Sequence, residues 1–73
     1  MNAIALLSPV ALIEDVPEHS LTKGQIGTVV EILQRVDEYA LLVEFSDETG
    51  RTYALADLKP DQLLVLHRST RAA

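Results

Sequence analysis

The sequence predicts an all-β fold: a single small domain of five strands, with a short 3-10 turn before the last strand. Short apolar runs follow one another at intervals of about ten residues, and turn-forming residues separate them. The segment Leu21–Leu33 (LTKGQIGTVVEIL) places two glycines ahead of a β-branched run, which favours a loop that turns into a bent strand. Together these patterns favour a small barrel or sandwich over a helical fold.

The first strand is predicted at Val10–Ile13. Pro9 stands at its start, a position where proline is tolerated because no ladder hydrogen bond is lost. Residues 14–23 (EDVPEHSLTK) then form a long polar loop around Pro17.

The second strand is predicted at Ile26–Leu33. Gly24 and Gly27 precede or open it, and we expect both to have structural roles where the loop enters the strand. Val29 and Val30 are consecutive, so strict alternation fails, and a bulge or a sharp bend near Gly27 would account for it.

The third strand, Tyr39–Phe45, alternates clearly. Its predicted core face consists of Tyr39, Leu41, Val43 and Phe45, whereas Leu42 and Glu44 share the outer face. A hairpin loop follows at residues 46–50, with Gly50 as a structural residue that supplies a positive φ.

The fourth strand is predicted at Arg51–Leu55, a 3-10 turn at Asp57–Asp61 and the last strand at Leu63–Leu66. The resulting order (strand, long loop, three-stranded meander, 3-10 turn, final strand) is the layout of SH3-like barrels. The domain boundaries predicted from this layout are an apolar N-terminal arm at 1–8, the barrel at 9–66 and a flexible tail at 67–73.

Composition narrows the functional classes. Eleven acidic residues against six basic ones give a net charge of −5, so the surface has no general attraction for polyanions. Cysteine is absent, which excludes disulfides and thiolate metal sites. The N-terminal apolar run has no preceding Lys or Arg and is interrupted at Ser8-Pro9, and no run approaches a membrane span, so we expect a cytoplasmic protein.

The residues resemble a known family. The segment KGQIGTVVEIL is similar to the KOW signature, and the wider pattern over Val10–Leu66 resembles the small bacterial proteins known as domain of unknown function 4926. The resemblance implies a compact SH3-like barrel, and it implies a place as the smaller partner of a two-gene pair of toxin–antitoxin type. No catalytic residue is carried over from it, and the chain lacks the basic surface of RNA-binding KOW domains.

The sequence gives little support for a catalytic site or a metal site. The densest ionisable set is Glu14, Asp15, Glu18 and His19, for which a solvated loop is the simpler interpretation than a metal site. No Ser-His-Asp spacing, phosphate loop or dinucleotide fingerprint occurs, and we expect no pocket of about 300 Å³, the low end for small-molecule sites. The sequence therefore predicts no enzyme, no metal and no cofactor.

The leading hypothesis is a non-enzymatic protein-binding module, antitoxin-like in its most concrete version, with a basic or apolar protein surface as its partner. The predicted contact residues are Ile4, Leu6 and Leu7 of the arm, Glu14, Asp15 and Glu18 of the loop, and Leu42. The alternative is a KOW-type nucleic-acid-binding domain that uses Lys23, Arg35 and Arg51. A homo-oligomer and a purely structural subunit both stay open.

Overall fold

Five antiparallel strands form one sheet in the computed structural model, which describes residues 4–67. The strands are β1 (Pro9–Leu12), β2 (Ile26–Gln34), β3 (Tyr39–Ser46), β4 (Thr52–Leu58) and β5 (Leu63–Val65). Two 3-10 turns lie between them, at Pro17–His19 and at Pro60–Gln62. The predicted all-β class, the five strands and the 3-10 turn before the last strand are confirmed.

The spatial order of the strands is β4-β3-β2-β1-β5, so the last strand lies beside the first. Within residues 4–67 the ladder does not continue from β4 to β5, and the sheet is therefore not closed by hydrogen bonds into a complete barrel. Residues 1–3 of the predicted arm and residues 68–73 of the predicted tail lie outside the described residues.

The core lies on one face of the sheet, and its buried side chains within residues 4–67 are aliphatic apart from Phe45. Leu41, Val43 and Phe45 are all fully buried, and Tyr39 packs against them, as the alternation of β3 predicts. Val16 and Leu21 extend this core into the long loop, where they form an isolated bridge with each other. The loop is therefore anchored to the domain at both ends.

The consecutive valines mark a real irregularity. The register between β2 and β3 shifts between Val29 and Glu31, so Val30 is the additional residue of a bulge. Val29 is fully buried, and the bulge accommodates the break in alternation that the sequence shows.

The predicted end of the fourth strand is wrong by three residues. Asp57 and Leu58, expected in the 3-10 turn, pair with Leu42 and Leu41 as the last residues of β4. The alternation of inward-facing residues continues through Ala56 and Leu58, and both are almost fully buried. The strand therefore extends to Leu58. The turn begins only at Pro60, whose fixed φ suits the first position of a helical turn.

Candidate functional site

The N-terminal arm is part of the domain. The backbone N–H of Leu7 donates to the carbonyl oxygen of Val29 at 2.7 Å, and the N–H of Val29 donates to the carbonyl of Ser8 at 3.0 Å. Ile4 is only 9% exposed and belongs to the core. The prediction that Ile4 contacts a partner is therefore wrong, because Ile4 is buried against the sheet and removed from solvent.

The two leucines of the arm point into solvent. Leu6 is 54% exposed and Leu7 is 67% exposed. Leu7 also has a left-handed backbone, with φ 68°, a conformation that costs a residue with a Cβ about 1–2 kcal/mol. These two residues keep the exposure that a contact role requires, and that role stays a prediction.

Two carboxylates of the long loop at residues 14–23, called the acidic loop below, accept hydrogen bonds from residues further along the chain. Asp15 Oδ1 accepts a hydrogen bond from the backbone N–H of Lys23 at 2.8 Å, and Glu14 Oε2 accepts one from Gln62 Nε2 at 3.3 Å. Glu18 lies in the first 3-10 turn. All three side chains are exposed, so the loop presents negative charge while its shape depends on Glu14 and Asp15.

Leu42 lies half-buried on the outer face of β3, as predicted. It is opposite Glu31 on β2 and opposite Asp57 on β4. Two residues along the same strand, Glu44 accepts a hydrogen bond from the hydroxyl of Thr52 at 2.7 Å. The outer face of β3 and its two neighbouring strands therefore places three carboxylates around Leu42.

A cleft of about 410 Å³ opens at one end of the sheet, where the sequence predicted no pocket of this size. Leu41 pairs with Leu58, so the start of β3 and the end of β4 lie at the same end. The β2–β3 turn and the second 3-10 turn consequently meet there and leave a space between them. The lining residues are Asp37, Glu38, Tyr39, Ala40, Lys59, Pro60 and Asp61.

The lining of this cleft is acidic and partly aromatic. Asp37, Glu38 and Asp61 contribute three carboxylates, and Lys59 contributes the one positive charge among its lining residues. A smaller cleft of about 160 Å³ adjoins it and shares Glu38, Ala40 and Lys59. We call the larger space the acidic cleft. Its residues come from two separate stretches of the chain, residues 37–40 and residues 59–61, so no local motif in the sequence reveals it.

The three cations of the alternative hypothesis do not converge. Arg35 lies in the turn before β3, while Arg51 follows the hairpin after β3. Eight residues of β3 separate the two ends by about 23 Å. Lys23 is in the loop whose Gln25 Nε2 donates to Tyr53 Oη at 3.0 Å, which places it toward the Arg51 end.

The hairpin between β3 and β4 is organised by one carboxylate. Asp47 Oδ1 accepts hydrogen bonds from the hydroxyl of Thr49 at 2.7 Å and from the backbone N–H groups of Thr49 and Arg51 at 2.9 and 3.0 Å. The hydroxyl of Thr49 and the two N–H groups hold the pKa of Asp47 below its usual value. Gly50 closes this turn with φ 84°, as predicted.

Neither a metal-ligating cluster nor a membrane-spanning helix occurs within residues 4–67. Within residues 4–67 no three His, Asp or Glu side chains are grouped so that they could hold a metal ion. The same stretch contains no helix with the length and apolarity that a bilayer crossing requires.

The fold and its surfaces define a small all-β domain with one antiparallel sheet and an acidic exterior. The chain belongs to the family described as Domain of unknown function (DUF4926), whose model matches residues 6–65. This confirms the family that the sequence pattern resembles. No curated protein matches the chain, and no solved structure matches it.

Proposed function

We propose that this chain is a non-enzymatic protein-binding module and that the acidic cleft binds a basic segment of its partner. The observation that carries the proposal is the cleft itself, about 410 Å³ in volume and lined by three carboxylates and Tyr39. An arginine or lysine side chain in such a cleft gains charge-assisted hydrogen bonds, and an aromatic ring adds a cation–π contribution.

The charge of the whole chain supports the same partner chemistry. A net charge of −5 raises the encounter rate with a basic surface and opposes binding of a polyanion. The resemblance to two-gene pairs extends the proposal: the chain is the small, antitoxin-like, cytoplasmic partner of a basic protein made from the adjacent gene. This extension depends on analogy with the family and not on the cleft.

The test is a titration of the full chain with a short peptide of alternating arginine and alanine. Binding is monitored through the backbone amide shifts in NMR spectra. The proposal predicts that the largest shift changes fall on Glu38, Tyr39 and Lys59 and their neighbours in the cleft. Shifts concentrated on residues 14–18 would move the binding site to the acidic loop, and shifts spread evenly over the surface would remove the proposal.

A second titration separates the partner classes. An oligonucleotide is expected to produce no shift even at low salt, where phosphate contacts are strongest, because the net charge is −5 and Arg35 lies at the opposite end of β3 from Arg51. Saturable shifts with the oligonucleotide at Lys23, Arg35 or Arg51 would instead support nucleic-acid binding.

A further inference from the structure

The outer face of the sheet carries exposed apolar side chains where β5, β1 and β2 lie side by side. Ala11 pairs with Leu64 on β5 and with Ile26 on β2, so these three residues share one face and form a line across the strands. We call them the apolar row. Leu64 is 56% exposed, Ile26 is 58% exposed and Ala11 is half-buried. The neighbours of Ala11 along β1, Val10 and Leu12, are in the core, so the row points away from it.

The small residue at the middle of the apolar row leaves a notch. Ala11 ends in a methyl group, whereas Leu64 and Ile26 on either side of it carry long aliphatic side chains. Adjacent strands are about 4.8 Å apart, so these two side chains start roughly 10 Å from each other across the alanine. The notch therefore fits an aliphatic side chain of a partner, which would be covered from water on both sides.

A carboxylate lies beside the apolar row on the same face. Pro9 pairs with Thr28, Thr28 with Glu44, and Glu44 with Leu55, which makes a second line across the sheet next to the first. These pairs lie outside the two register shifts, so the four residues share the outer face. The hydroxyl of Thr52 donates to Glu44 Oε2 at 2.7 Å and helps to fix the carboxylate there.

No cation of the sheet offsets this negative charge. The five strands within residues 4–67 contain no lysine, arginine or histidine. Glu31 on β2 and Asp57 on β4 both lie opposite Leu42, which is on the same face of β3 as Glu44. The outer face is therefore apolar on its β5–β1–β2 side and negative toward β3 and β4.

We propose that this outer face binds a basic amphipathic helix of a protein partner. A sheet face packs against a helix or a second sheet, whereas an extended segment pairs at a sheet edge. An aliphatic side chain of the helix enters the notch at Ala11. A lysine or arginine about two helical turns further along meets Glu44, because two turns span about 11 Å and β3 lies two strands from β1, roughly 10 Å away.

Charge complementarity favours this partner over a second copy of the chain. Two copies would bring together faces whose strands carry carboxylates and no cation, and like charges at an interface oppose association. The outer face is also separate from the acidic cleft, so its proposed role does not depend on whether the cleft binds a peptide.

The test is a titration of the full chain with a synthetic helical peptide that has leucines along one side and lysines along the other. Saturable changes in the backbone amide shifts of NMR spectra are expected at the apolar row and at Glu44. The arginine–alanine peptide, which has no large apolar side chain, should leave the apolar row unchanged. A peptide with glutamate in place of lysine should bind about fivefold or more weakly, because it meets carboxylates of its own sign.

Single substitutions locate the contact. Ile26→Ser and Leu64→Ser should each raise the dissociation constant of the leucine–lysine peptide about fivefold, a loss typical of a truncated interface anchor. Glu44→Gln should raise it about twofold to threefold and reduce its dependence on salt. Val36→Ser is the control, because Val36 is 98% exposed in the turn between β2 and β3, and it should bind like the wild type.

Several results would overturn the proposal. Shifts confined to Glu38, Tyr39 and Lys59 would leave the acidic cleft as the binding site, and no saturable shift at the apolar row up to about 1 mM peptide would exclude the contact. Equal binding of the glutamate peptide would remove the basic partner. A mass of the chain alone that doubles with concentration, and does not do so for Ile26→Ser, would assign the apolar row to a second copy.

Discussion

Gly27 lies on β2, between β1 and β3, where the structure leaves no room for a side chain. It pairs with Val10 on β1, and a Cβ atom placed on it would lie 2.6 Å from Val43 Cγ1 and 2.8 Å from the carbonyl oxygen of Glu44. The second contact is with backbone, which cannot rotate away. Only glycine therefore fits this position, and the reason is the close approach of the neighbouring strand.

Gly27→Ala is expected to lower the free energy of unfolding by about 1–3 kcal/mol, the usual cost of overpacking. Urea denaturation of the purified chain measures this loss. Thr28→Ala, one residue along the same strand, is the control and should change stability by less than about 1 kcal/mol. Equal stability of Gly27→Ala and the wild type would contradict the close approach.

Asp47 makes the stability of the hairpin depend on pH. Its pKa is lowered in the folded chain, so the carboxylate stabilises the fold above its unfolded pKa of about 3.9. That contribution is lost as the pH falls through the lower folded value. Asp47→Asn should therefore melt below the wild type at pH 7, and the difference should narrow toward pH 3.

The control for this pH dependence is Glu48→Gln, which changes the same charge in the same turn. Its melting temperature should follow that of the wild type at both pH values. A difference between Asp47→Asn and the wild type that stays constant with pH would show that the three hydrogen bonds to Asp47 do not depend on its charge.

At the scale of elements, the alternation in the sequence predicts β3 almost completely and β4 only in part. The inward set of β3 is apolar at every second residue, so its register is determined by the pattern. In β4 the inward residues Ala54 and Ala56 are small, which weakens the contrast with the outward residues. The turn residues Asp57 and Pro60 then suggest an early end, although the strand continues to Leu58.

The arm shows the same limit of local patterns. Ile4 and Leu6 look alike in the sequence, yet the first is core and the second is solvent-exposed. What separates them is the pairing of Leu7 and Ser8 with Val29, and that pairing depends on the tertiary fold. The apolar residues of the arm do not alternate clearly, so the sequence alone does not predict this pairing.

Ile4→Ala should accordingly destabilise the domain by about 2–4 kcal/mol through loss of buried apolar contact. Leu6→Ala, two residues away, should change the free energy of unfolding by no more than about 0.5 kcal/mol. Both are measured by denaturant unfolding. Equal losses for the two variants would show that the arm does not contribute to the core as the structure indicates.

At the scale of the whole molecule, the carboxylates are grouped on separate surfaces. Three lie in the long loop, three on the outer face of β2, β3 and β4, three in the acidic cleft and two in the β3–β4 hairpin, which accounts for all eleven. Net charge predicts a basic partner for any of these surfaces. Only the folded structure distinguishes the cleft, because Asp37, Glu38 and Asp61 come from turns more than twenty residues apart.

The central claim is that the acidic cleft, and not acidity in general, binds a basic partner. The most direct measurement is the dissociation constant of the arginine–alanine peptide for two triple variants that have the same net charge. The cleft variant is Asp37→Asn/Glu38→Gln/Asp61→Asn, and the loop variant is Glu14→Gln/Asp15→Asn/Glu18→Gln. A melting curve checks that each variant is folded. An exposed ion pair contributes about 0.2–1 kcal/mol, so the cleft variant should bind roughly threefold or more weakly than the wild type, while the loop variant stays closer to it. Equal weakening in both variants, or a larger effect from the loop, would contradict the claim.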